Sequence, residues 1–235
     1  AGIPYREVAE DTIALSENVQ IGKLFQLNKE VVIQDLSSQR TAGYFPPIRK
    51  DAVIRIWDCC AGSGGKTLLA ADNYPNAEIT ATDNRNTILR NFMERMEEAE
   101  VTIKYVQVLE LSSGSSRAGV ETLKPGNGFD LIIADVPCSG SGTWGRSPEE
   151  MMWFTKEEIN GYATLQHGII ANVVQALKPG GYLLYITCSV YKKENEENVA
   201  IFTQKHNLKI VKQGIIEGYM QMADTMFAAL LISPA

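Results

Sequence analysis

From Val53 onward, short apolar runs alternate with longer segments whose apolar positions recur every three to four residues. The apolar runs predict strands at Val53–Asp58, Glu78–Asp83, Thr102–Val108, Phe129–Asp135, Tyr182–Thr187, Lys209–Gly214 and Thr225–Ile232. The longer segments predict helices at Gly65–Asn73, Thr87–Glu98, Thr155–Leu177 and Glu194–His206. Lys178-Pro179-Gly180-Gly181 reads as a helix stop followed by a turn. Strands separated by helices imply an α/β fold: a mostly parallel seven-stranded sheet with helices on both faces. Such sheets bind ligands beyond the carboxyl ends of their strands, and the unusual residues of this chain all follow strand ends.

The pattern before residue 51 is weaker. Phe25–Leu27 and Val31–Ile33 alternate around Asn28–Glu30 and suggest a short hairpin, and Pro46-Pro47 closes the region. The expected division is therefore an N-terminal extension with a short hairpin over residues 1–50, packed on a catalytic domain over 51–235. No internal repeat or low-complexity segment interrupts it.

Composition narrows the classes. There is no long apolar run to cross a membrane and no signal pattern at the N-terminus, so a soluble cytoplasmic chain is expected. The cysteines, Cys59, Cys60, Cys138 and Cys188, lack CxxC spacing and have only His167 and His206 for company, so neither a disulfide framework nor a metal site is expected. The net charge of −6 argues against a stand-alone nucleic-acid binder. The acidity is uneven: residues 1–67 hold eight basic and eight acidic residues, so the rest carries the excess. The tract Lys192–Asn198 reads as a solvated helix start.

Asp58-Cys59-Cys60-Ala61-Gly62-Ser63-Gly64-Gly65-Lys66-Thr67 ends one strand and opens a helix. Its glycines let backbone N–H groups approach a ligand, and the helix start favours an anion. A P-loop would need glycine where Cys60 stands, which leaves a nucleotide-cofactor turn or a merely structural one. The next strand ends at Asp83, placed to accept from ribose hydroxyls or to cap the following helix. Turn and carboxylate together suit NAD as well as S-adenosylmethionine. Two further strands end in cysteine loops, Asp135-Val136-Pro137-Cys138-Ser139-Gly140-Ser141-Gly142 and Thr187-Cys188-Ser189. Buried cysteine is often an inert small hydrophobe; flanked by polar turn residues at strand ends, these two are equally candidates for chemistry.

Five segments together resemble the RNA 5-methylcytosine methyltransferases of the RsmB/NOP2/NSUN type. They are Ile33–Gln39, Cys60–Thr67, the Asp83 strand end, Asp135–Gly142 with Arg146 and Pro148, and Thr187–Ser189; Asp224–Ala229 resembles the family's closing strand more weakly. The resemblance implies the Rossmann-like S-adenosylmethionine methyltransferase fold and methyl transfer to carbon 5 of cytosine in rRNA or tRNA. It implies that Cys188 attacks carbon 6 of the base and that Cys138 assists loss of the carbon-5 proton and enzyme release. Asp135 would bind the N3/N4 edge of the base, with Lys66 lowering a cysteine pKa or placing the base, unless Lys66 is a solvated helix-start lysine. The cofactor would lie on Cys60, Ala61, Gly62, Ser63, Gly64, Gly65, Lys66, Asp83 and Asp135. Arg146 and Arg40 are the expected RNA contacts, with Arg49 and Lys50 as further candidates.

Two departures from the family pattern stand out. Its acidic adenine-side contact falls on Gln107, the best-aligned position, where an amide would make the cofactor contact, with Glu110 the other candidate. RNA-binding modules usually precede the family's core, whereas this chain begins close to it, as a fragment or a minimal member would. The rival functions are methyl transfer to a protein or small molecule, a non-catalytic RNA-binding module, and an NAD oxidoreductase. Two strand-end cysteines are superfluous to transfer onto oxygen or nitrogen, and a binder has no use for both beside Asp135.

Overall fold

The computed structural model describes residues 3–16, 19–49, 51–112 and 116–235. Its strands are β1 (Tyr5–Ala9), β2 (Thr12–Leu15), β3 (Arg55–Asp58), β4 (Glu78–Asp83), β5 (Ile103–Val108), β6 (Phe129–Asp135), β7 (Leu177–Thr187), β8 (Lys209–Ile216) and β9 (Met226–Ile232). Its α-helices are α1 (Leu36–Arg40), α2 (Gly65–Asn73), α3 (Asn86–Glu98), α4 (Ser116–Leu123), α5 (Glu150–Trp153), α6 (Lys156–Val173) and α7 (Glu196–His206). Among the described residues β3 to β9 form one sheet in the order β5-β4-β3-β6-β7-β9-β8. Its pairs are parallel except β7 with β9 and β8 with β9. The strand order reverses between β3 and β6, so their carboxyl ends flank the crevice where ligands of such sheets lie.

The central strands are apolar on both faces because both are covered. Side chains alternate between two cores: Trp57, Ile132, Ala134, Leu183, Tyr185, Phe227 and Ala229 face α6 and α7, where Ile170, Val173, Val199 and Phe202 meet them. Ile56, Leu131, Ile133, Leu184, Ile186, Ala228 and Leu230 face the other way, against Ala70 of α2, Tyr74 just after it, and Tyr44. A smaller core joins α2 to α3 through Leu68, Leu89, Phe92 and Met96.

The α/β architecture and every strand expected after residue 51 are present, and three sequence expectations need correction. The hairpin lies at β1–β2 rather than at 25–33, where a single parallel Leu27–Val31 bridge is all that forms. Lys178–Gly181 is not a turn after a helix: α6 ends at Val173 and β7 already runs from Leu177, with the pairing register slipping between Phe129 and Leu131 and Gly180 at φ +70°. The third concerns Lys192–Asn198: Glu194, Asn195 and Asn198 are fully buried, not solvated. The pattern before residue 51 gave no sign of α1, which is capped by Asp35, whose side chain accepts from the N–H groups of Ser37 and Ser38.

Candidate active site

A cavity of about 670 Å³ opens at the carboxyl ends of β3, β4, β6 and β7. The turn after β3 forms its floor. Gly62 and Gly64 sit at φ +53° and +91°, in the left-handed region that favours glycine. A Cβ on Gly64 would lie 2.6 Å from Met96 Cε and 3.0 Å from Phe92, so α3 packs where a side chain would stand. Cys60, Ala61, Gly62, Ser63, Gly65 and Lys66 line the cavity, at the start of α2 where unpaired N–H groups gather. Gly64 lies outside the lining and shapes the turn from below.

Asp83, nearly buried, forms one wall. Its carboxylate accepts from the Gly62 N–H (3.0 Å), the Arg85 N–H (3.0 Å) and the Arg85 guanidinium (2.9 and 3.0 Å). Burial alone would raise its pKa; the hydrogen bonds from Arg85 and Gly62 outweigh that and hold it below the ordinary carboxylate value. Beneath the turn Asp58 is fully buried, with Thr67 Oγ1 donating to it at 2.7 Å and its other oxygen unpartnered. Burial pushes its pKa up to about 7, against the lowering effect of Thr67.

The third wall corrects the adenine-side expectation. Gln107 is exposed on the edge strand β5 and does not reach the cavity; Leu109, Glu110, Leu111 and Ser112 line it instead. Glu110 accepts from Ser112 Oγ (2.6 Å), the Ser112 N–H (2.8 Å) and Asn84 Nδ2 (3.1 Å), bonds that lower its pKa.

At the far wall β6 delivers Asp135 and Cys138, and β7 delivers Cys188. The two sulfurs are 3.3 Å apart. The hydrogen bond to Cys188, then burial, drives the Cys138 pKa well up. Lys66 is almost completely buried. Its ammonium lies 3.0 Å from Asp135 and donates to Ser38 Oγ at 2.7 Å. A solvated helix-start lysine is thereby excluded, and α1 becomes part of the site, with Gln34 Nε2 donating to both Ser38 Oγ (2.8 Å) and the Gly65 carbonyl (3.4 Å).

The expected RNA contacts are engaged elsewhere. Arg146 pairs with both oxygens of Asp224 at 2.7 and 2.6 Å, and its side chain remains largely exposed. Arg40 donates to the Glu217 carbonyl at 3.3 Å and Arg49 pairs with Asp51; Lys50 lies outside the described residues. Sequence reasoning missed Ser38, Gln166, Glu194 and Asp224. Two of them carried a signal: Ser38 lies within the Ile33–Gln39 segment of the resemblance, and Asp224 starts the closing-strand pattern.

A sheet in this order, with a left-handed glycine turn facing an acidic strand end across one cavity, defines the Rossmann-like fold of S-adenosylmethionine-dependent methyltransferases. The family described as 16S rRNA methyltransferase RsmB/F matches residues 47–232, and the chain belongs to that family. Ribosomal RNA small subunit methyltransferase B of Vibrio cholerae is 31% identical over 199 residues, covering 84% of this chain and 43% of that protein. The probable ribosomal RNA small subunit methyltransferase B of Bacillus subtilis is 31% identical over 203 residues, covering 85% and 43%. The chain thus spans less than half the length of these relatives. Among solved structures, a methyltransferase homologue from Pyrococcus horikoshii superposes with a TM-score of 0.77 at 22% identity, over 99% of this chain and 79% of that one. NSun6 from Pyrococcus horikoshii, solved with SFG, superposes with 0.72 at 22% identity, over 96% and 61%.

Proposed function

We propose that this chain carries out S-adenosylmethionine-dependent methylation of carbon 5 of cytosine in RNA, and that the RNA is ribosomal. The observation that carries the reading is the pair of thiols 3.3 Å apart at the cavity wall that also bears the Lys66–Asp135 pair. Both matched relatives are named as ribosomal RNA methyltransferases, which supports that RNA over tRNA. The cavity's size suits a nucleoside cofactor, and SFG, bound to the NSun6 neighbour, is an analogue of S-adenosylmethionine.

The turn from Cys60 to Lys66 would hold the cofactor's carboxylate on backbone N–H groups at the start of α2. Asp83 would take the ribose hydroxyls, and Glu110 rather than Gln107 would stand on the adenine side. When bound, S-adenosylmethionine supplies an electrophilic methyl group. The target base must be unstacked to reach the cavity. The Cys188 thiolate adds to carbon 6, and carbon 5 gains enamine character and becomes nucleophilic. Asp135 hydrogen-bonds the N3/N4 edge, and Lys66 holds Asp135 in place. Loss of the carbon-5 proton, assisted by Cys138, re-forms the double bond and expels the Cys188 sulfur.

Single substitutions separate the two thiols. Cys188→Ala should abolish covalent capture of RNA, even with 5-fluorocytosine RNA, in which carbon 5 has no proton to lose. Cys138→Ala should still form the adduct but release it poorly, so a complex stable to denaturing gels should accumulate with ordinary RNA. Capture by the Cys188→Ala protein would reverse the assignment.

A further inference from the structure

We propose that the buried Glu194 carboxylate is a positioning group that holds the Cys138 and Cys188 loops together. The proposal rests on the reading of the two thiols as successive participants in one reaction. Cys138 follows β6 and Cys188 follows β7, so nothing in the local sequence fixes one sulfur against the other. Each cysteine is followed at once by a serine, and both serines donate to one oxygen of Glu194: Ser139 Oγ at 2.6 Å and Ser189 Oγ at 2.5 Å. The other carboxylate oxygen accepts from the Ser139 N–H at 2.9 Å and from Gln166 Nε2 at 3.1 Å. Gln166 also donates to the Pro137 carbonyl at 2.9 Å, one residue before Cys138.

Glu194 sits just before α7 and is fully buried; no ion pair reaches it among the described residues. Burying a carboxylate among neutral donors is costly unless all its acceptor sites are used, and here four donors use them. The chain does not need this side chain to anchor α7. Asn195 accepts from Thr187 Oγ1 at 2.6 Å and donates to the Ser189 carbonyl at 2.8 Å, and Tyr185 donates to the backbone carbonyl of Glu194 at 2.6 Å. The side chain of Glu194 is therefore free of the fastening role and serves the two serine arms.

The clamp is read directly from the thiols, without RNA or cofactor. Diamide takes one hydrogen from each of two thiols: the S–S bond forms and the N=N bond becomes HN–NH. Closure of the Cys138–Cys188 pair in the full chain is followed by alkylating the remaining thiols and mapping peptides by mass spectrometry. The wild-type chain should close this pair. Glu194→Ala, with an unchanged circular dichroism spectrum, should close it about tenfold or more slowly, because small misplacements of reacting atoms are costly. Glu194→Gln should stay close to wild type, since its amide oxygen and nitrogen can still meet hydroxyls able to accept as well as donate. Removing the negative charge would by itself ease ionisation of Cys138 and speed the reaction, so slowing reports position. If Glu194→Ala does not fold, Ser139→Ala with Ser189→Ala removes the two hydroxyl arms and should slow closure likewise. Closure at the wild-type rate in a folded Glu194→Ala or double-serine variant overturns the proposal. So does a Glu194→Gln rate as slow as Glu194→Ala, or a wild-type pair that never closes. If closure behaves as expected while Cys188→Ala still captures RNA, the cytosine reading falls and the clamp stands.

Discussion

Asp83 engages both carboxylate oxygens with groups of its own chain, and the guanidinium of Arg85 occupies the outward side. An ionised carboxylate offers about four acceptor sites, so ribose hydroxyls can reach it only as Arg85 turns away. That side chain is largely exposed and can do so. Asp83→Ala should weaken S-adenosylmethionine binding by about tenfold or more, equivalent to about 1.4 kcal/mol, as titration calorimetry would register. An unchanged affinity would remove the ribose assignment. Asp83 was legible from its strand-end position alone. Lys66 was legible as a candidate but not as a buried one, because burial of a helix-start lysine depends on Ser38, a partner 28 residues away in sequence. Glu194 was illegible for the same reason: in Lys192–Asn198 it looks like one more surface charge, and besides nearby Ser189 its donors come from helix α6 and the loop after β6, 28 and 55 residues distant.

At the level of elements, the strands of the central sheet were readable because burial on both faces makes their apolar runs unbroken. β1 and β2 were not: most of their side chains are exposed or half-buried, so no alternation marks them. α1 has five residues and depends on its Asp35 cap and on contacts with α2 and Asp224, whose N–H donates to Asp35 at 3.0 Å. The loop after β6 is held as tightly as a strand. Gly142 donates to the Cys188 carbonyl at 2.9 Å and accepts from the Thr225 N–H at 2.9 Å. A Cβ at Gly142 would lie 1.8 Å from the Thr225 carbonyl oxygen, so backbone would have to move. Gly142→Ala should therefore destabilise the chain by roughly 1–3 kcal/mol, as overpacking typically does, measured by urea unfolding. Wild-type stability in that variant would mean the loop is looser than its hydrogen bonds imply.

For the whole molecule, charge bears on the proposed binding of RNA. The chain carries a net charge of −6, and Arg146, Arg40 and Arg49 already have partners within the protein. Each phosphate neutralised by Lys or Arg steepens the loss of affinity with salt. This chain alone should bind RNA weakly, with a slope corresponding to fewer than about four phosphates in filter-binding titrations across about 50–200 mM salt. Tight binding with a steep slope would show that this chain's own surface is sufficient to hold RNA. The meeting of Gly142, Cys188 and Thr225 also ties the thiols to the far end of the sheet. Strand β9 follows β8 in the chain yet inserts between β7 and β8. The Cys138 loop is bonded to the segment that leads into that strand, so the setting of the thiols draws on contacts between parts of the chain far apart in sequence. Such non-local closure is slow relative to helix formation, and it is what brings two cysteines 50 residues apart to one cavity wall.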